Sequence, residues 1–294
     1  MRISPFIIII TVSAVLAGCE KDLKPDPITF DATTTKSDYQ VGDTVDFSLS
    51  GNPDMITFYS GEPGANYDFK ERTSAEGIPQ MQFTSYAQYG TQTKTLALLV
   101  STDFTGEYTE EGISKATWTD ITSEAVLSTG ADNTPSGTID LSRFNTEDKP
   151  IYVAFKYTGA TGSTQKTWTI KNFGIDLDMP DGTASSIANL VSAEWKGVNV
   201  KNPVKGWVIS ATQLQMTGGT ADMEDNEDWL ITTRLYLNKV SPDKGVPIKD
   251  ISERLDHFYY IYSKPGTYKA VFTAFNAMGN KQESALKEID ITVR

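Results

Sequence analysis

Tyr262-Ser263-Lys264-Pro265-Gly266-Thr267-Tyr268-Lys269-Ala270-Val271-Phe272 is the stretch on which the fold turns. Pro265-Gly266 specifies a tight turn, because proline fixes one φ and glycine takes dihedrals closed to other residues. Beyond it the chain alternates. Tyr268, Ala270, Phe272 and Ala274 share one side of an extended backbone. The expected product is a strand with that side in a sheet core. The same period of two recurs in Val45, Phe47 and Leu49, in Ile151, Val153, Phe155 and Tyr157, and in Ile289, Ile291 and Val293. Turn residues punctuate the gaps, as in Gly51-Asn52-Pro53-Asp54 and Pro180-Asp181-Gly182. Helical periodicity is scarce, and short helices are expected only near 185–190 and 249–255. The chain reads as all-β, a set of short strands arranged in sandwiches.

The first eighteen residues read differently. A short positive start at Arg2 precedes an apolar run, Phe6 to Leu16. That run is shorter than the ~20 residues a bilayer requires, and it has the form of a signal-peptide core. It ends in Leu16-Ala17-Gly18-Cys19, a lipobox pattern of a branched residue, two small residues and the cysteine that takes the lipid. Lipidation at Cys19 and attachment to a membrane are therefore expected. Cys19 is also the only cysteine, so no internal disulfide can form. Residues 19–29 are charged and proline-containing, the composition of an extended tether.

The 294 residues carry a formal charge of −12. Removing residues 1–18 takes away one arginine and no acid, which leaves −13. An acidic surface without a basic cluster disfavours nucleic acid and polyanionic glycans as partners.

Tyr39-Gln40-Val41-Gly42-Asp43-Thr44-Val45-Asp46-Phe47 and the closing segment from Tyr262 to Val293 resemble the two halves of a PKD-type immunoglobulin-like domain. Roughly 190 residues separate them, far more than a loop in a compact domain. Residues 30–64 and 252–294 are thus expected to form one split sandwich, with residues 65–251 inserted as a second domain. Within the insert, the order Leu96–Phe104, Ala116–Thr122, Gly137–Leu141, Ile151–Tyr157 and Trp168–Ile175 resembles a galactose-binding-like jelly roll. The whole resembles a domain-of-unknown-function family of Bacteroidota surface lipoproteins. Lys21 beside acidic residues just after Cys19 resembles the surface-export signal of such proteins. The resemblance implies an outer-membrane, cell-surface location and a possible outer-membrane glycan transporter as partner.

Chemistry-bearing residues are few. His257 is the only histidine, no thiol remains after lipidation of Cys19, and neither a Gly-x-Ser-x-Gly elbow nor a phosphate loop is present. The chain is expected not to be an enzyme. Asp222, Glu224 and Asp225 lie in an acid-rich loop that could offer oxygens to calcium, although without the EF-hand spacing. Sugar binding calls for flat aromatic faces with planar polar groups beside them. Trp168, Trp207 and Trp229 each share a strand side with an isoleucine and read as core, and Trp118 is ambiguous. Trp195 has only Ala193 and Gly197 as i±2 neighbours and reads as an exposed platform. Tyr86, Gln88 and Tyr89 lie where Tyr and Gln interleave, and Tyr86 and Tyr89 cannot share one side of a regular strand. The expectation is a non-catalytic lipoprotein that binds a neutral polysaccharide for a glycan-uptake system. A structural or adhesive surface protein is the alternative, and a carbohydrate-active enzyme the third.

Overall fold

A computed structural model describes residues 24–146 and 149–294, which divide into two compact units. One comprises residues 24–62 together with Gly245–Arg294, and the other is Pro63–Lys244. Among the described residues the structure is mostly β, with four sheets and almost no helix. Among the described residues no helix is long and apolar enough to cross a membrane.

The first unit pairs a three-stranded sheet (Phe30–Thr34, Thr44–Gly51, His257–Ile261) with a five-stranded one (Val246–Lys249, Met55–Tyr59, Gly266–Met278, Lys281–Val293, Asp38–Tyr39). Alternation decides the core. Val45, Phe47 and Leu49 from one sheet and Tyr268, Ala270, Phe272 and Ala274 from the other are all buried. Phe58 packs 5.6 Å from Phe47 and 4.9 Å from Phe272, ring centre to ring centre. The Pro-Gly turn is pinned by the tyrosines that flank it. Tyr262 and Tyr268 stack at 4.4 Å, and the Tyr268 hydroxyl donates to the Lys264 carbonyl at 2.9 Å.

In Pro63–Lys244 a seven-stranded sheet faces a five-stranded one. The longest strands of the first, Ile78–Gln88 and Thr167–Asp178, pair antiparallel. The centre of the second is Tyr152–Gly159, between Leu96–Ser101 and Asn226–Ile231. Met81, Phe83, Ile170 and Ile175 from one sheet meet Leu98, Val153, Phe155 and Tyr157 from the other. The strand Tyr152–Gly159 is not half-buried as its alternation predicts. Its other side, Tyr152 and Ala154, joins Phe104, Ile113, Trp229 and Ile231 in a second apolar cluster. A one-turn helix, Glu110–Lys115, contributes Ile113 to that cover, and Thr109 caps it by accepting from the Gly112 N–H at 3.0 Å.

Neither expected helix forms. Ala184–Asn189 is a strand on the exposed edge of Thr167–Asp178, where ladder hydrogen bonds outweigh weak helix propensity. Residues 250–255 are turn and coil after the strand Val246–Lys249.

Candidate functional site

The strand Ile78–Gln88 ends at Gln88, and the next residue leaves the extended region. Tyr89 has φ +55° and Gly90 φ +59°, and Lys94 returns to φ +57° before the strand Leu96–Ser101 begins. A left-handed residue with a Cβ costs of order 1–3 kcal/mol unless it is Gly or Asn. Among the described residues six non-glycine residues have positive φ, and three of them are asparagines. Of the others, two, Tyr89 and Lys94, fall in this one loop, and the third is Glu194.

The surroundings hold the loop in this form. Gln92 Nε2 donates to the Ala160 and Ser163 carbonyls at 2.6 and 3.0 Å, and Gln92 Oε1 accepts from the Ala160 N–H at 2.9 Å. Lys166 Nζ donates to the carbonyls of Tyr89 and Gly90 at 3.4 and 3.1 Å. Gly90 lies so close to the neighbouring chain that a Cβ would sit 2.2 Å from the Thr164 carbonyl oxygen. Only glycine fits there.

Two recesses flank this loop. The first, about 820 Å³, has Tyr86, Gln88, Tyr89, Thr164 and Lys166 in its lining. The second, about 750 Å³, is lined by Lys94, Asp120, Leu127 and Trp168 among others, with many threonine hydroxyls. Thr91, Thr129 and Lys166 belong to both. Both volumes fall in the range of small-molecule sites. Tyr89 presents its ring to solvent at 71% exposure, while Tyr86 is half-buried. Trp168 is a rigid wall, its Nε1 donating to Thr95 Oγ1 at 2.9 Å inside the unit.

Three of the four residues expected to make a sugar platform, Tyr86, Gln88 and Tyr89, thus line one concavity. The fourth does not. Trp195 is 5% exposed and belongs to the central core. Its ring packs 5.6 Å from Phe155 and 4.9 Å from Phe173, and its Nε1 donates to the Leu190 carbonyl at 3.0 Å. The i±2 reading fails because Trp195 is not in a strand. The strand Lys196–Lys201 begins after it, and Glu194 before it sits at φ +48°, which turns the tryptophan inward.

The three acids of the expected calcium loop have separate partners. Among the described residues no three His, Cys, Asp or Glu side chains converge as metal ligands. Asp222 Oδ1 accepts from Thr220 Oγ1 at 2.5 Å, Asp225 Oδ1 accepts from the Thr161 N–H at 2.9 Å, and Glu224 contributes its backbone carbonyl to Gln165 Nε2 at 2.9 Å. The Asp222 carboxylate ties down its own loop, and the Asp225 carboxylate ties that loop to the turn at Thr161.

Further along the same chain, Asp228 is 1% exposed, and among the described residues its Oδ2 has no hydrogen-bond partner. Burial raises its pKa from 3.8 to about 7, with neighbouring Glu227 adding to the rise and the Asn226 amide opposing it. Sequence reading missed this residue, because nothing in an Asn-Glu-Asp run reveals which acid points inward.

His257 lies on the exposed side of its strand, with Nδ1 2.9 Å from Asp46 Oδ1. Cys19 lies outside the described residues.

Residues 18–195 match the family model described as Domain of unknown function (DUF5017), more than half of the chain. The match contains every lining residue of both recesses except Ala221. No curated protein and no solved structure matches the chain.

Proposed function

This chain belongs to the DUF5017 family, and from that premise we propose that it is a non-catalytic surface lipoprotein that binds a polysaccharide for a glycan-uptake system. The observation that carries the reading is the pinned, left-handed loop Tyr89–Lys94 between two recesses, with Tyr89 standing exposed beside Tyr86 and Gln88. An exposed aromatic ring covers the CH-rich side of a pyranose with little loss of side-chain freedom. Gln88 and the threonine hydroxyls supply planar and rotatable partners for sugar hydroxyls. The loop is set before any ligand arrives, so binding orders little further chain.

The anchor is Cys19 in its lipobox, and residues after it act as tether to an outer-membrane surface. In the finer architecture we propose, the unit built from both chain ends is a PKD-type immunoglobulin-like sandwich. Pro63–Lys244 is then an inserted jelly roll, and the glycan site belongs to the insert. The facing of three strands on five in one unit, and of seven on five in the other, supports this.

A structural or adhesive role is the second reading. It is favoured by Tyr259 and Ile261, which stand 59% and 55% exposed on the edge strand His257–Ile261. Exposed apolar side chains on a sheet edge suit contact with another protein.

A glycan array probed with the ectodomain from residue 19 onward separates the two. Binding that is lost in Tyr89→Ala, with an unchanged melting temperature, supports the glycan reading. Absence of binding to any glycan at millimolar repeat-unit concentration gives the lead to the adhesive one.

A further inference from the structure

We infer that the second recess receives a sugar residue bearing an anionic substituent, a carboxylate or a sulfate ester, while the first holds the adjacent residue against Tyr89. This inference rests on the glycan reading above and narrows its ligand.

Continuity comes first. Thr91, Thr129 and Lys166 line both recesses, so one extended ligand can enter both without leaving the surface. The two recesses differ in lining. The first carries the exposed tyrosine ring, and its only charged lining residue is Lys166. The second adds Lys94 and an apolar floor of Leu96, Ala97, Leu127 and Trp168.

Charge then decides the substituent. Two ammonium groups and one carboxylate, Asp120, line the second recess, in a chain of 26 basic and 38 acidic residues. The local balance is the reverse of the global one. Asp120 Oδ1 already accepts from the Thr122 N–H at 2.8 Å. Among the described residues neither Lys94 nor Lys166 forms an ion pair with a carboxylate. Lys166 spends donors on the carbonyls of Tyr89 and Gly90, which leaves one of its three for a ligand. Lys94 is held at φ +57°, a conformation a lysine has no intrinsic reason to adopt. That strain, beside a cavity and on an unpaired cation, marks the position as used.

The net charge of −12 does not oppose this. Beyond about 8 Å at physiological salt a field from exposed charges is largely screened. A substituent inside the recess meets Lys94 and Lys166 at contact range, and the distant acids only slow its approach.

The test is an oligosaccharide array with three arms of matched length: neutral, uronate-bearing and sulfated. Preferred binding of either anionic arm, weakening as sodium chloride rises from 20 to 500 mM, is the expected result, and the arm that binds names the substituent. Lys94→Gln should then weaken the anionic ligand about 3-fold more than the neutral one, the scale of one partly screened ion pair. Lys94 is the variant of choice because Lys166→Gln would also release the Tyr89–Gly90 carbonyls. Binding confined to the neutral arm overturns the inference while the glycan reading stands. Binding to no arm overturns both.

Discussion

Tyr89 and Trp195 stand at the same kind of place and meet opposite fates. Each is an aromatic residue at a strand end, in or directly after a left-handed residue that is neither glycine nor asparagine. Tyr89 is itself left-handed, after the strand Ile78–Gln88, and its ring is 71% exposed. Trp195 follows left-handed Glu194, before the strand Lys196–Lys201, and is 5% exposed. A left-handed residue breaks the alternation on which side-chain counting depends. What then decides exposure is the space waiting on each side. Phe155 and Phe173 leave a slot for the Trp195 indole, and the Leu190 carbonyl satisfies its N–H. Beside Tyr89 there is an open concavity.

The largest expected effect lies on the buried side. Trp195→Ala should cost about 3–5 kcal/mol of stability, because it removes a large ring from a close-packed core and leaves a cavity. Urea unfolding followed by near-ultraviolet dichroism measures this. A loss under 1 kcal/mol would return Trp195 to the surface and dissolve the contrast with Tyr89.

A second test sharpens the buried side through its charge. Asp228 carries a raised pKa, about 7 against an ordinary 3.8, through burial. The folded state therefore holds a proton that the unfolded state releases between these values. Where the folded state binds more protons, stability falls as pH rises. The contribution is complete below about pH 4, declines up to about pH 7 and is constant above that. Its upper limit is about 4 kcal/mol, from three units at 1.36 kcal/mol each. Asp228→Asn keeps the shape and cannot ionise, so the variant should gain on the parent as pH rises from 5 to 8. Parallel pH profiles for the two proteins would show that Asp228 is already ionised in the folded state at pH 5, so that burial does not raise its pKa.

On the exposed side the expected effect is on binding alone. Tyr89→Ala removes a ring that touches solvent, so its melting temperature should stay within 1 °C of the parent. Loss of one stacking contact, about 1 kcal/mol, should weaken glycan binding roughly 5-fold by calorimetry. A sharp fall in melting temperature would mean that Tyr89 supports the loop rather than a ligand.

These contrasts also show what was readable in the sequence. The sheets were legible wherever strands are regular and one-sided, as in Tyr268, Ala270, Phe272 and Ala274, all buried as the alternation requires. The second cover over Tyr152 and Ala154 was not, because it depends on where the segment Phe104–Trp118 folds back. Trp207 was read as core from its partner Ile209. The structure leaves Ile209 46% exposed and only half-buries Trp207, since their strand is a three-residue edge. Tyr86, Gln88 and Tyr89 were found by residue type. The partners that make them a site, Lys166 and the 160–166 segment, come from long-range contacts with no local signal.

The smallest effect separates strain kept for a ligand from strain that follows packing. Glycine takes φ near +50° without penalty, so Glu194→Gly and Lys94→Gly should each remove a left-handed cost. The gain is partly offset by the greater freedom glycine gives the unfolded chain, which leaves a net stabilisation of about 0.5 kcal/mol. In a unit of this size that raises the melting temperature by about 1–2 °C. The two variants should differ in binding. Glu194 is exposed, outside both recesses, and its strain lets Trp195 turn into the core, so Glu194→Gly should leave glycan affinity unchanged. Lys94→Gly removes a cation from the second recess and should weaken binding while the protein grows more stable. That opposite movement of stability and affinity marks strain retained for function. Equal affinities in the two variants would show that the conformation of Lys94, like that of Glu194, serves only the packing around it.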